Sequence, residues 1–259
     1  MLSSLDRRLA PAPDPARVAW LRGQVYAHRG KHGAGLIENS QYAFDAAIAA
    51  DLGIECDVQE TADGEAAVFH DRELDRLTAS TGPVIARTAL ELLQTRLTGS
   101  HEHIPLLGDL LLQVSGRVPL LIEVKTDPAR RVERLCRAVQ RGLGDYDGPC
   151  AVMSFDSRVG FWFARHAPQT VRGLVVTERG GSVARGPLLR RLGLWNTRPD
   201  FLAYDVRDLP SPFAAVQRAR GLPLLTWTVS DAARLKTARA HADAPIAEGE
   251  GLASLLARS

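Results

Sequence analysis

The chain has 259 residues, 45% hydrophobic and 24% charged, with a formal charge of +2 at neutral pH. That composition is globular, and the length suffices for a core without disulfide staples. Of 32 cationic residues only Lys31, Lys125 and Lys236 are lysines, and the arginines are scattered among Asp and Glu, so no nucleic-acid partner is expected, since such surfaces cluster their basic residues.

Residues 1–20 read as a leader, with a stiff Pro11–Pro15 stretch on the surface. Asp6, Arg7 and Arg8 interrupt its apolar residues, which argues against a secretory signal. Residues 21–259 read as one barrel domain. Strand 25–27 comes first, then helix 40–51 and strand 54–59. An excursion over one barrel end follows from 61 to 107, with a short strand at 66–70. Beyond it come strand 120–124, helix 129–141, strand 151–154, helix 158–166, strand 174–176 and helix 187–192. Strand 201–206, helix 213–220, strand 224–228, helix 231–240, strand 245–247 and helix 252–257 complete the chain. Eight short strands alternating with helices predict parallel βα units. At this length the economical closure is a TIM (β/α)8 barrel, with a doubly wound open sheet as the rival. No stretch approaches the roughly 18 apolar residues of a membrane span. Cys56, Cys136 and Cys150 lack CxxC spacing and are odd in number, which predicts a reducing, cytoplasmic setting.

Polar chemistry gathers in the first half. His28-Arg29-Gly30 follows the first strand, and Glu38-Asn39-Ser40 precedes the first long helix. Glu55 and Asp57 stand two residues apart in the second strand and so share a face. Glu123 and Lys125 repeat that spacing on the next barrel strand. Carboxylates on one face repel unless a cation or proton separates them. Three near adjacent strand ends can hold a hard divalent cation such as Mg²⁺ or Ca²⁺. His28 and His70 supply the side chain that titrates nearest neutrality. Gly30 permits a turn that would bring Arg29 to the same end as His28.

The ordered set resembles the glycerophosphodiester phosphodiesterase family. His28-Arg29-Gly30, Glu38-Asn39-Ser40, Glu55-Cys56-Asp57-Val58, Thr61-Ala62-Asp63-Gly64, the His70-Asp71 to Leu77-Thr78 stretch and Glu123-Val124-Lys125 carry the resemblance. Ser154-Phe155-Asp156 and Trp227-Thr228-Val229-Ser230 extend it through the later strands. Ile37, Ser230 and the last strand depart from the family pattern. The resemblance implies a TIM barrel with its site at the strand C-terminal ends. It implies His28 and His70 as the acid–base pair. Glu55, Asp57 and Glu123 would hold one divalent cation: Mg²⁺, Ca²⁺ or Mn²⁺. Arg29 and Lys125 would contact phosphate, with Trp227 at the barrel mouth.

The expected activity is metal-dependent hydrolysis of a small-molecule glycerophosphodiester to glycerol 3-phosphate and an alcohol. A neighbouring hydroxyl or water attacks first, and either histidine is the base. Two alternatives stand beside it. One is a lysophospholipase-D-like hydrolase, whose apolar cleft would draw on Leu74, Leu77, Leu90, Leu92 and Leu93. The other is a non-catalytic binding module on the same barrel. Lys125 could instead serve as an ion-pair partner of Glu123 or Asp57. His101 and His103 read as a solvated loop rather than a second metal site, and Trp195 as packing. Gly180-Gly181-Ser182 reads as a flexible turn that could admit a phosphate.

Overall fold

The computed structural model describes residues 2–179 and 186–257. Helices α1 (Leu2–Leu9) and α2 (Pro15–Val18) precede β1 (Tyr26–His28), α3 (Gln41–Ala49), β2 (Gly53–Glu60) and β3 (Ala66–Val68). Then come α4 (Ala89–Leu93), α5 (Leu107–Val114), β4 (Leu120–Val124), α6 (Glu133–Leu143), β5 (Cys150–Ser154) and α7 (Ser157–His166). The rest is β6 (Val171–Val176), α8 (Gly186–Thr197), β7 (Phe201–Asp205), α9 (Pro212–Ala219), β8 (Leu224–Val229), α10 (Ala232–His241), β9 (Ala244–Ala247) and α11 (Gly249–Leu256). Strand and helix alternate through eight barrel strands, and β3 is an antiparallel addition to β2. The fold is the TIM (β/α)8 barrel the strand spacing predicts. Among the described residues no helix is long and apolar enough to cross a membrane.

The chain divides into two compact units, residues 27–150 and residues 1–26 with 151–259. In the first, β2 runs parallel to β4, with Ile54 beside Leu120 and Asp57 beside Glu123. Ile54, Cys56 and Val58 alternate with Glu55 and Asp57, and all five are buried. Apolar residues therefore occupy one face of β2 and acids the other. Ser40 begins α3 by accepting the Ala43 NH on its hydroxyl, which satisfies one unpaired donor of the first turn. The Thr61–Gly64 turn is a folding device. Thr61 donates to Asp63, accepts from the Glu65 NH, and Asp63 accepts the Ala89 NH at the start of α4.

The excursion has a core of its own. Phe69, Leu74, Val84, Leu92, Leu97 and Ile104 are buried together, with Ile37, Leu77 and Leu106 packed against them. The strand expected at 66–70 ends at Val68, and helix 129–141 begins at Glu133. Residues 125–132 form the loop between β4 and α6.

In the second unit β5, β6, β7, β8 and β9 are successive parallel neighbours. Pro11–Pro15 lies largely exposed, as expected, but the residues before it form α1. Asp6 of that helix is fully buried, and Ala10 joins a core with Leu174, Leu194, Tyr204 and Phe213. The cysteines are all free thiols.

Candidate active site

The acids on β2 and β4 converge. Glu55, Asp57 and Glu123 each present a carboxylate oxygen within 4.8 Å of the others, and all three side chains are buried. The parallel register causes this: Asp57 lies beside Glu123, and Glu55 sits one pleat repeat earlier on the same face. Burial, then Asp57 and Glu123, push the Glu55 carboxyl well above its ordinary range. Burial also raises Glu123, against the pull of Lys125. Burial works the same way on Asp57, yet Lys125 and Arg29 outweigh it and hold that carboxyl below the ordinary range.

Two cations border the trio. Lys125 Nζ is 2.8 Å from Glu123 Oε1 and 3.2 Å from Asp57 Oδ1. Arg29 Nη1 is 2.7 Å from Glu38 Oε1, and its Nε is 3.2 Å from Asp57 Oδ2. The turn expected at Gly30 is present and includes Arg29 itself, whose φ is +55°, with Gly30 at +78°. A Cβ at Gly30 would stand 2.9 Å from the Ala43 carbonyl carbon, so the turn packs directly on α3. Asn39, also at positive φ, donates its amide to Asp57 Oδ2 at 3.0 Å. Lys125 thus pairs with both acids, and it also lines a cavity beside His70.

His28 lies beside Glu55, and His70 is near enough to Asp57 for their charges to interact. His28 Nε2 is 3.9 Å from Glu55 Oε2. His70 Nδ1 is 2.7 Å from Asp71 Oδ1. A carboxylate only accepts, so the neutral ring carries its hydrogen on Nδ1 and its lone pair on Nε2. Burial lowers the His70 ring below its ordinary range, against the attraction of Asp57. Hydrogen bonds from Arg76 hold Asp71 down at about 2. Arg76 spans Asp71 and Glu38 with both edges of its guanidinium. Glu38, Asn39, Asp71 and Arg76 all lie inside motifs visible in the sequence, but their partners depend on the fold.

A cavity of about 830 Å³ opens beside His70 and Lys125. Its wall mixes Arg72 and Arg131 with the apolar Ile85 and Leu135. The leucines expected to form an apolar cleft do not line it. Leu74 and Leu92 are buried in the excursion core, Leu77 packs against it, and Leu90 and Leu93 are exposed. Trp227 belongs to β8 in the other unit, donates its indole NH to the Ala203 carbonyl, and meets Phe155 edge-on at 5.3 Å. Trp195 packs in the core and donates to Asp6. His101 is exposed, and His103 forms a backbone bridge with Arg96. Gly180-Gly181-Ser182 lies outside the described residues.

Residues 28–242 match the model of the Glycerophosphoryl diester phosphodiesterase family. The chain belongs to that family. The matched stretch contains both histidines, the three acids, Arg29, Lys125 and Trp227. A glycerophosphodiester phosphodiesterase of Bacillus altitudinis is 39% identical over 111 residues, covering 39% of this chain and 44% of the relative. The chain spans about half the length of the curated relatives it matches. Among solved structures, an Oleispira antarctica phosphodiesterase in complex with the product sn-glycerol-3-phosphate is similar at a TM-score of 0.77 and 23% identity, covering 92% of this chain and 98% of that one. A Thermotoga maritima glycerophosphodiester phosphodiesterase is similar at a TM-score of 0.70 and 24% identity, covering 86% and 93%. These structural likenesses establish the shared fold.

Proposed function

We propose that the protein hydrolyses glycerophosphodiesters to glycerol 3-phosphate and an alcohol, using a divalent cation and the His28–His70 pair. The observation that carries this is the convergence of three buried carboxylates, with His28 beside Glu55 and His70 close enough to Asp57 to interact with its charge. The donor set suits a hard cation: the Glu55, Asp57 and Glu123 cluster offers carboxylate oxygen alone. Glu55, Asp57 and Glu123 would hold Mg²⁺, Ca²⁺ or Mn²⁺. Such an ion, when bound, supplies charge to stabilise a phosphate oxygen in the transition state.

The chain's own residues handle protons and position. His70 keeps Nε2 free to take or give a proton, because Asp71 fixes its Nδ1 hydrogen. His28, on the Glu55 side, is the partner that performs the reverse transfer. Arg29 and Lys125 place two positive charges at the rim of the acids and draw the phosphodiester there. The wide cavity beside His70 lodges the alcohol, whose polar and apolar parts both find matching wall residues.

The test is release of glycerol 3-phosphate from glycerophosphocholine, with and without EDTA. Release that stops in EDTA and returns with one of these cations supports the proposal. His28→Ala and His70→Ala should each lower kcat by roughly 10²–10⁴, the usual scale of acid–base assistance. Unaltered turnover in EDTA, or in both histidine variants, would refute it.

A further inference from the structure

His70 lies just beyond β3, on a chain segment that no longer pairs as strand. Such a segment would ordinarily leave a side chain free to swing. Here it is held at both ends. Gln59 lies on the same face of β2 as Glu55 and Asp57, two residues farther along. Its side-chain amide donates to the Phe69 carbonyl at 2.9 Å and to the Asp71 carbonyl at 2.5 Å. Those two carbonyls bracket His70, and the Phe69 NH is bound in turn to the Asp57 carbonyl at 3.0 Å. The ring is held separately. Asp71 Oδ1 meets Nδ1, and Arg76 grips both Asp71 oxygens at 2.5 and 3.0 Å. Arg76 is itself anchored on both Glu38 oxygens at 2.9 and 2.7 Å.

We infer that Gln59 and Arg76 are positioning residues for His70, Gln59 by clamping its backbone and Arg76 by holding the Asp71 carboxylate against its ring. The catalytic consequence rests on the proposed phosphodiesterase activity; the clamp itself does not. Geometry explains the residue types. Only an amide offers two donors on one nitrogen to two carbonyls without adding charge. Only arginine's planar fork serves two carboxylates side by side, where lysine is a point charge.

The experiment uses the full chain and three variants, Gln59→Glu, Arg76→Met and Arg76→Lys, each checked for folding by circular dichroism. The first readout is the ¹⁵N spectrum of the His70 ring at one fixed pH without substrate. Wild type should show a single tautomer with the hydrogen on Nδ1. Arg76→Met should show a mixture, and Arg76→Lys should lie between. The second readout is turnover of glycerophosphocholine with Mg²⁺. Gln59→Glu and Arg76→Met should lose about 10–100-fold in kcat, the scale for residues that orient a working group, with KM changed less than threefold. Arg76→Lys should recover part of the Met loss. Folded Gln59→Glu and Arg76→Met with normal kcat, and a single tautomer in Arg76→Met, would overturn the inference. If Arg76→Met does not fold, Gln59→Glu and Arg76→Lys decide the matter by the same readouts. A wild type with no turnover but a tautomer that shifts in the Arg76 variants would uphold the clamp and reject the phosphodiesterase activity.

Discussion

Two fully buried acids, one in each unit, contrast a carboxylate satisfied by neutral donors with one that the proposed function uses. Asp6 in α1 accepts Trp195 Nε1 at 3.0 Å on one oxygen and Gln217 Nε2 at 3.1 Å on the other, with Arg191 3.9 Å away. Glu55 in β2 accepts one backbone NH, from Arg29 at 3.1 Å, and has His28 3.9 Å away. Two further acids share its space. Buried polar groups are ordinarily satisfied, and unpaired buried charge is costly. Asp6 is satisfied by neutral donors, whereas Glu55, Asp57 and Glu123 crowd three carboxylates against Arg29 and Lys125, and the proposed cation would offset their remaining repulsion.

The largest effect expected from this contrast is on activity. Glu123→Gln removes one of three acids and leaves the side-chain size unchanged. It should lower kcat by about 10²–10³, the scale for losing one electrostatic stabiliser, and weaken Mg²⁺ binding in parallel. Calorimetric titration beside the glycerophosphocholine assay checks this. Undiminished metal affinity would remove Glu123 from the site.

A smaller effect is expected on stability at the other acid. Asp6→Ala leaves the Trp195 and Gln217 donors without their acceptor in a buried setting. Such a loss costs about 1–3 kcal/mol, a fall of roughly 2–12 °C in Tm for a chain of this size. Turnover by the folded variant should match wild type. A Tm equal to wild type would make Asp6 as expendable as a surface acid.

These contrasts also mark what could be read before the structure. The barrel strands were legible because short apolar runs recur between helical stretches. The acid trio was legible from two-residue parity on two strands, Glu55 with Asp57 and Glu123 with Lys125. Helix α1 was missed because its apolar positions are few and charges 6–8 interrupt them; its burial depends on partners near residues 195 and 217. Helix α5 was missed because its leucines followed directly on the excursion. Gln59 and Arg76 stood in view, but nothing local says that Gln59 reaches residues 69 and 71. That depends on the antiparallel pairing that sets Val58 beside Val68.

The smallest expected effect concerns acid. Asp71 is held at about 2, first through its hydrogen bonds with Arg76. Glu38 is likewise lowered: burial acts against ionisation, but Arg76 and Arg29 prevail. A depressed carboxyl adds stability that is complete above its unfolded value of about 4 and is lost as pH falls toward the folded one. Wild type should therefore lose a modest increment between about pH 4 and pH 2. Arg76→Met should flatten that part of the profile, as followed by urea midpoints across the range. An unchanged slope would show that this network contributes nothing to acid sensitivity.

The most direct measurement is the Tm of wild type and Glu55→Gln in EDTA and in saturating Mg²⁺. The Glu55 carboxyl is raised well above its ordinary range by burial and its neighbouring acids. A raised carboxyl stabilises at low pH and loses that contribution as pH rises, so near neutrality its charge costs stability. A glutamine is neutral at every pH and can donate to Asp57 or Glu123. Glu55→Gln should therefore melt higher than wild type in EDTA. Mg²⁺ should raise the wild-type Tm, by an amount matching about 2.7 kcal/mol at a hundredfold excess over Kd, and should barely move the variant. A variant that melts lower than wild type in EDTA and keeps the full Mg²⁺ shift would show that Glu55, like Asp6, is a structural acid and that the cation does not bind there.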